Sequence, residues 1–341
     1  MPTLPDFLAE DFERLGEALT LRARQLDGHR LILSGATGFF GQNLLALFVH
    51  LWRAGARFEV TALSRSPAAF VAAHTWAGEL PWLRWVQGNA REPWPVRERH
   101  DLMLHAATDT HAAAHLDLQA VFDEQLSMAR NAMACAAACG VQRLLLTGSG
   151  AQYAEATAPL KEDAAACDPG SPSSAYGEGK RCAEMLGALH ARFHGTAMVN
   201  TRCFAFVGPG LALDGHFAIG NFISSALDGR PLKLSSAGGA TRSYLYGADL
   251  ALWLTLLLLE APAGSTFNVG SDRALTVLEL AHRITSALHP GLAIEVGSSP
   301  AQGARHFYVP DTGRARRAGL DVWTSLDQAI ERTARWHRAA I

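Results

Sequence analysis

The stretch RLILSGATGFFG, residues 30–41, decides the fold. Its first half, Arg30-Leu-Ile-Leu-Ser34, is a short apolar run of the kind that forms a buried strand. Its second half, Gly35-Ala-Thr37-Gly38-Phe39-Phe40-Gly41, is a glycine-rich turn leading into a helical pattern from Gln42 to Trp52. Glycines there permit a tight turn, let the backbone approach a pyrophosphate and allow close helix–strand packing. The helix N-terminus then offers free N–H groups and a favourable dipole to the phosphates. Strand, glycine turn and helix in this order predict the opening of a dinucleotide-binding domain.

Working outward, Phe58-Glu-Val-Thr-Ala-Leu63 reads as a second strand and Asp101-Leu-Met-Leu-His105 as another. A long Ala-rich helix follows through Cys139, and then the apolar run Arg143-Leu-Leu-Leu-Thr147 ahead of a Gly/Ser turn. Short apolar strands alternating with helices predict an α/β fold with a doubly wound parallel sheet. After residue 205 the rhythm breaks into Gly/Pro-rich loops. The expected division is a helical arm over 1–28, a dinucleotide-binding domain over 29–205 and a mainly substrate-binding lobe over 206–341. Some segments of that lobe return to the sheet.

The end of the second strand bears on the cofactor. A carboxylate there binds a ribose 2′-hydroxyl, whereas an Arg accommodates a 2′-phosphate. Here Ser64-Arg65-Ser66 carries no acid. A guanidinium flanked by two hydroxyls suits a phosphate dianion, so NADP is expected, with NAD as the alternative.

Composition narrows the classes. The 341 residues are 49% hydrophobic with a formal charge of −2. No basic run offers the clustered cations that nucleic-acid binding needs. Residues 1–27 carry acids throughout, which argues against a secretory signal, and residues 5–27 read as an amphipathic helical arm. The longest apolar run, Leu250–Leu259, is about half of what a bilayer-spanning helix requires, and reads as a buried helix. Cys135, Cys139, Cys167, Cys182 and Cys203 form no Cys-x-x-Cys pair, which points to a reducing, cytoplasmic setting.

Tyr176-Gly-Glu-Gly-Lys180 sets a phenol and an ammonium one helical turn apart, on one face. A neighbouring ammonium, with the positive nicotinamide ring, favours phenolate and is expected to lower the phenol's pKa toward the working range. Ser149, at the turn after Leu144–Thr147, is placed to hydrogen-bond the reacting oxygen beside Tyr176.

With these residues in view, the chain resembles the extended short-chain dehydrogenase/reductase family, in its NAD-dependent epimerase/dehydratase branch of nucleotide-sugar enzymes. The resemblance runs from about residue 29 to 338. It is carried by GATGFFG (35–41), HAA (105–107), SGAQY (149–153), YGEGK (176–180) and RCFAFVGPG (202–210). It continues through HFAIGNFI (216–223), RSYLYGADLA (242–251), FNVGS (267–271) and YVPDTGRARRAGL (308–320). It implies a Rossmann domain with a smaller C-terminal substrate lobe. Tyr176 would be the acid/base on the sugar C4 oxygen, Lys180 would hold the nicotinamide ribose, and Ser149 would orient the oxygen. Besides Gly35, Thr37, Gly38, Phe39, Phe40, Gly41, Ser64 and Arg65, it assigns Asn89, Ala90, His105, Ala106, Ala107, Thr147, Phe204 and Val207 to the dinucleotide. His216, Asn221, Arg242 and Arg305 are assigned to the substrate, the two Arg side chains suiting a diphosphate.

Departures from the family pattern are equally specific. Gly150 and Ala151 stand where 4,6-dehydratases carry acids needed for water elimination, which marks that activity down. Ala205 replaces a phosphate-binding Asn, Asn89 an Asp near the adenine, and Ser243 the Asp after the motif Arg. His111, His115 and Asp117 read as a polar helix face, and no metal site is expected. Trp76, Trp82, Trp85 and Trp94 read as packing in a Pro-punctuated loop region, or as a lid.

The expected reaction is hydride transfer at a sugar C4, with a nucleotide-diphosphate sugar as partner and a homodimer as the assembly. Arg65 tilts the reading to a 4-keto-sugar reductase. A 4-epimerase using the same three residues is the alternative. A non-catalytic dinucleotide sensor needs none of Ser149, Tyr176 and Lys180.

Overall fold

A computed structural model describes residues 3–108, 117–213, 217–298 and 306–340. Seven strands form one parallel sheet: β1 (Arg30–Ser34), β2 (Glu59–Ser64), β3 (Leu83–Gln87), β4 (Leu102–His105), β5 (Arg143–Ser149), β6 (Ala197–Cys203) and β11 (Ser265–Val269). Their order is β11-β6-β5-β4-β1-β2-β3. The chain winds outward from β1 to β3, then returns to β4 on the other flank of β1. A crevice therefore opens at the carboxyl ends of β1 and β4, where doubly wound sheets hold ligands. The central strands are buried on both faces, as their unbroken apolar runs require.

Covering helices are α3 (Phe39–Arg53), α4 (Pro67–Ala73), α5 (Leu118–Cys139), α6 (Ala175–His194) and α8 (Gly247–Glu260). The apolar run expected to be a buried helix is α8, enclosed from Gly247 to Leu258. α3 begins at Phe39, three residues before the expected start. Gly38 is its extended N-cap, and Phe40 packs edge-on against Phe206, 4.9 Å between ring centroids. β3 is a correction: the Trp-rich stretch expected to be loop contributes an edge strand, LRWVQ. It lies half open to solvent and so lacks the apolar run of an inner strand. The tryptophans do pack. Trp82 and Trp94 are buried, and the Trp85 indole N–H donates to the Ala77 carbonyl.

Beyond β6 the elements shorten: β7 (Phe206–Val207), α7 (Ala218–Leu227), β8 (Leu232–Leu234), β9 (Thr241–Arg242) and β10 (Leu245–Tyr246). After β11 come β12 (Leu275–Thr276), α9 (Val277–Leu288), β13 (Ile294–Val296), β14 (Phe307–Tyr308), α10 (Gly313–Arg317) and α11 (Leu326–Ala340). β9 joins β12 and β14, pairing Arg242 with Tyr308.

The arm folds as α1 (Leu4–Arg14) and α2 (Glu17–Ala23), with Leu4, Leu8 and Phe12 fully buried. The buried Asp11 carboxylate accepts from Arg332 of α11 at 2.6 Å and from the Tyr246 hydroxyl at 3.0 Å. Among the described residues no helix is long and apolar enough to cross a membrane.

Candidate active site

At the mouth of β1, Gly35 has φ +77°, and a Cβ there would lie 2.7 Å from the Ala106 backbone. A Cβ on Gly41 would lie 2.3 Å from the Ala36 Cα and the Gly35 carbonyl. The turn is thus compressed between strand and helix, and side chains are excluded at both positions. Gly38 differs, since a Cβ there would meet only the Gly35 carbonyl, at 3.5 Å. It faces open space at the start of α3, where an anion would meet the helix N-terminus. This cradle fits a dinucleotide pyrophosphate.

Across the crevice, the Ser34 hydroxyl and His105 Nδ1 lie 2.6 Å apart, and the Ala107 amide donates to Ser34 Oγ at 3.4 Å. The Thr147 hydroxyl donates to the His105 carbonyl at 3.0 Å. These contacts lock the ends of β1, β4 and β5 in one register. Burial drives the His105 pKa down to about 3, and the Lys180 charge adds to this. Ser64, Arg65, Asn89 and Ala90 sit at the ends of β2 and β3. Ser64 is buried, Arg65 is exposed, and Asn89 Oδ1 caps the turn by accepting from the Arg91 amide. Val207 is completely enclosed.

Ser149 ends β5. Its Oγ accepts from the Ala151 amide at 3.1 Å, and its own amide donates to Gln152 Oε1 at 2.8 Å, which fixes the tight turn. α6 presses against that turn, since a Cβ on Gly177 would lie 2.3 Å from the Ala151 carbonyl. This close approach brings Tyr176 to Ser149. The Thr108 and Ser149 hydroxyls both act on the Tyr176 phenol, each favouring its phenolate. Lys180 Nζ is buried, donates to the Thr147 carbonyl at 3.1 Å, and lies 5.9 Å from the Tyr176 ring centroid.

The electrostatics differ from the sequence expectation. Tyr176 is half-buried, and desolvation by the surrounding protein pushes its pKa up to about 12, with Tyr308 adding to the rise. Burial is the largest cause of that rise, and the Lys180 ammonium is given to the Thr147 carbonyl. Burial brings Lys180 down to about 8. At neutral pH the pair is a neutral phenol beside an ammonium.

Two participants were missed by sequence reasoning. Thr108 follows the HAA segment and carried no signal of its own. Tyr308 lay inside the YVPDTG segment, and only the register of β9 and β14 brings it to Ser149, 3.4 Å between hydroxyl oxygens. Arg242 Nη1 donates to the Thr241 carbonyl at 2.8 Å, and its guanidinium lies 6.0 Å from the Tyr308 ring centroid. Phe204 packs on Tyr308, 4.8 Å between centroids. Asn221 lines a cavity of about 570 Å³ bounded by α7 and β8 with Phe222, Ser225, Arg230 and Lys233. His216, Arg305, His111 and His115 fall outside the described residues. Among the described residues no three His, Cys, Asp or Glu side chains cluster as metal ligands.

A model of the NAD dependent epimerase/dehydratase family matches residues 31–270. The chain is 32% identical over 143 residues to UDP-glucuronic acid decarboxylase 3 of Arabidopsis thaliana, covering 42% of this chain and 41% of that protein. It is 26% identical over 251 residues to a trifunctional UDP-glucose 4,6-dehydratase/UDP-4-keto-6-deoxy-D-glucose 3,5-epimerase/UDP-4-keto-L-rhamnose-reductase of the same plant, covering 71% and 36%. The matches to these two relatives thus span less than half of each relative's length. Among solved structures, the UDP-N-acetylglucosamine 4-epimerase of Methanobrevibacter ruminantium superposes with a TM-score of 0.79 at 17% identity, covering 92% of this chain and 100% of that one. The dTDP-glucose 4,6-dehydratase of Streptomyces venezuelae gives 0.78 at 23%, covering 91% and 97%. These likenesses are of fold. The family match runs from the first strand of the sheet to the end of its last, and on that extent the chain belongs to the NAD-dependent epimerase/dehydratase family.

Proposed function

We propose that this protein is a nicotinamide-dependent oxidoreductase acting at C4 of a nucleotide-diphosphate sugar, as a 4-keto-sugar reductase. The observation that carries the reading is the meeting of Ser149, Tyr176 and Lys180 at the end of β5, beside the glycine cradle. Gly35, Gly38 and Gly41 would hold the pyrophosphate, with Thr37, Phe39 and Phe40 lining the turn. Arg65, flanked by Ser64 and Ser66, supports NADP over NAD. When bound, the reduced nicotinamide supplies a hydride.

Reducing a ketone to an alcohol also needs one proton at the oxygen. Tyr176 holds that proton at neutral pH, because its surroundings keep the phenol uncharged. Ser149 orients the carbonyl oxygen, and Tyr176 donates as the C=O electron pair becomes an alkoxide. Lys180 stabilises the phenolate left behind. The residues from 206 onward mainly form the substrate lobe in this reading, with Arg242 toward the diphosphate.

A 4-epimerase would use the same residues in both directions. NADPH consumption at 340 nm with a panel of 4-keto sugar nucleotides tests the proposal. Turnover of a sugar nucleotide without added reductant would establish the epimerase instead. Neither oxidation nor isomerisation would leave only a dinucleotide sensor.

α6 supports the expected homodimer. Met185, Leu189 and Phe193 recur every fourth residue and are 61%, 47% and 78% exposed. An apolar stripe on a helix, flanked by α5, suits an isologous interface with a second copy of the chain. Phe193→Asp is expected to give monomers by light scattering. A parent that is monomeric at micromolar concentration would remove the dimer.

A further inference from the structure

We propose that Gln152 is a positioning residue for the reaction, its side-chain amide holding the backbone of Ser149 and, through it, the hydroxyl that meets the sugar oxygen beside Tyr176. The inference rests on the oxidoreductase reading above and adds a residue that touches neither substrate nor cofactor.

Gln152 is 1% exposed and closes the short turn Gly150–Gln152 that follows β5. The Ser149 amide donates to its Oε1 at 2.8 Å, and because a backbone amide only donates, the oxygen end of the side chain must face it. The nitrogen end is buried and has no hydrogen-bond partner among the described residues. A buried amide nitrogen left unpaired opposes folding. A residue that only filled the core would be apolar and would avoid that penalty, so the demand at this position is for the acceptor.

Gly148 makes room for that acceptor. A Cβ there would lie 2.3 Å from Gln152 Oε1 and 2.7 Å from the Thr201 carbonyl, so glycine lets the side chain fold back along β5. Ser149 is thereby fixed at φ −147° and ψ 148°, and its Oγ accepts from the Ala151 amide. The hydroxyl hydrogen is left for an oxygen in the cleft. Gln152 also reaches the other half of the corner. Its carbonyl accepts from the Cys167 amide at 2.9 Å, and the Cys167 thiol donates to Glu178 of α6 at 3.1 Å, two positions from Tyr176. One residue thus joins the strand that carries Ser149 to the helix that carries Tyr176.

The test compares the parent with Gln152→Met, Gln152→Glu, Ser149→Ala and the Ser149→Ala/Gln152→Met double variant, on whichever nucleotide sugar the parent turns over. Dinucleotide affinity is measured in parallel by fluorescence, well below each variant's Tm. Met keeps the length of the side chain and removes the acceptor. Gln152→Met is expected to lower kcat about tenfold, the scale of one lost buried hydrogen bond, with dinucleotide affinity within about twofold of the parent. Gln152→Glu keeps an acceptor oxygen and is expected to stay within about threefold of the parent's kcat. In the Ser149→Ala background the Met substitution is expected to cost less than about twofold, since the hydroxyl it orients is gone. Equal kcat for the parent and Gln152→Met would overturn the inference and leave the oxidoreductase reading standing. So would a loss that persists undiminished in the Ser149→Ala background, because that marks a residue supporting the fold at large. A parent that binds the dinucleotide yet converts no nucleotide sugar overturns both.

Discussion

The Gly35–Gly41 turn and the Ser149–Tyr308 corner lie at the same end of one sheet, but they are made by different means. The turn is local: twelve consecutive residues supply strand, glycines and helix, and backbone sterics dictate its shape. The corner is assembled from afar. Ser149 comes from β5, Tyr176 and Lys180 from α6, and Tyr308 from a two-residue strand 159 positions beyond Ser149. Contiguous sequence can specify a binding cradle, whereas the chemistry depends on packing that joins distant segments. The cradle should therefore tolerate almost no added atoms, and the corner should be sensitive to single functional groups.

The largest effect is expected at the corner. Tyr176→Phe removes the only proton donor assigned to the reaction and should lower kcat by about a thousandfold, within the span of general acid catalysis. Dinucleotide affinity, read by fluorescence, should stay within a few-fold. A variant as fast as the parent would break the mechanism outright.

Next comes the cradle. Gly41→Ala places a methyl group 2.3 Å from two backbone atoms, which only a shift of α3 can relieve. Dinucleotide affinity should fall about a hundredfold, with a lower Tm. Retained affinity would show that the turn yields more easily than its geometry implies.

A smaller effect tests the lock between the two regions. His105 is held neutral down to about pH 3, while in the unfolded chain it takes up a proton near pH 6.5. Between those values the unfolded state binds more protons, so this residue's contribution to stability falls as pH falls, by about 1.4 kcal/mol per unit below 6.5. His105→Asn can keep a partner for Ser34 without titrating. Its loss of unfolding free energy from pH 7 to 4.5 should therefore be about 2.5 kcal/mol smaller than the parent's. An identical slope in chemical denaturation would remove His105 from the lock.

The smallest effect concerns selectivity. Arg65→Ser should weaken NADPH binding about tenfold with little change for NADH. Equal changes for both would show that Arg65 meets the adenine and not a 2′-phosphate.

The same contrast explains what could be read in advance. The parallel sheet, the glycine turn, the buried α8 and the Tyr-x-x-x-Lys pair each have a period or spacing short enough to stand in a single segment. β3 escaped notice because an edge strand shows no apolar run. The direction of the Tyr176 pKa escaped because it depends on how densely other segments surround the ring, which spacing to Lys180 does not encode. Tyr308 and Thr108 gain their meaning only from partners far along the chain.

The clasp between α1 and α11 has a consequence for how the polypeptide matures. Asp11 and Arg332 are separated by 321 positions, so the helix translated first of the two holds a buried carboxylate whose counter-ion is made 321 residues later. Closing so long a loop contributes heavily to relative contact order and belongs to the slow phase of folding. Until that closure, the Phe7 ring lacks Trp336 and Arg332 of α11, which pack against it. Ribosome-arrested chains stopped before residue 326 should accordingly leave this first helix open to proteases.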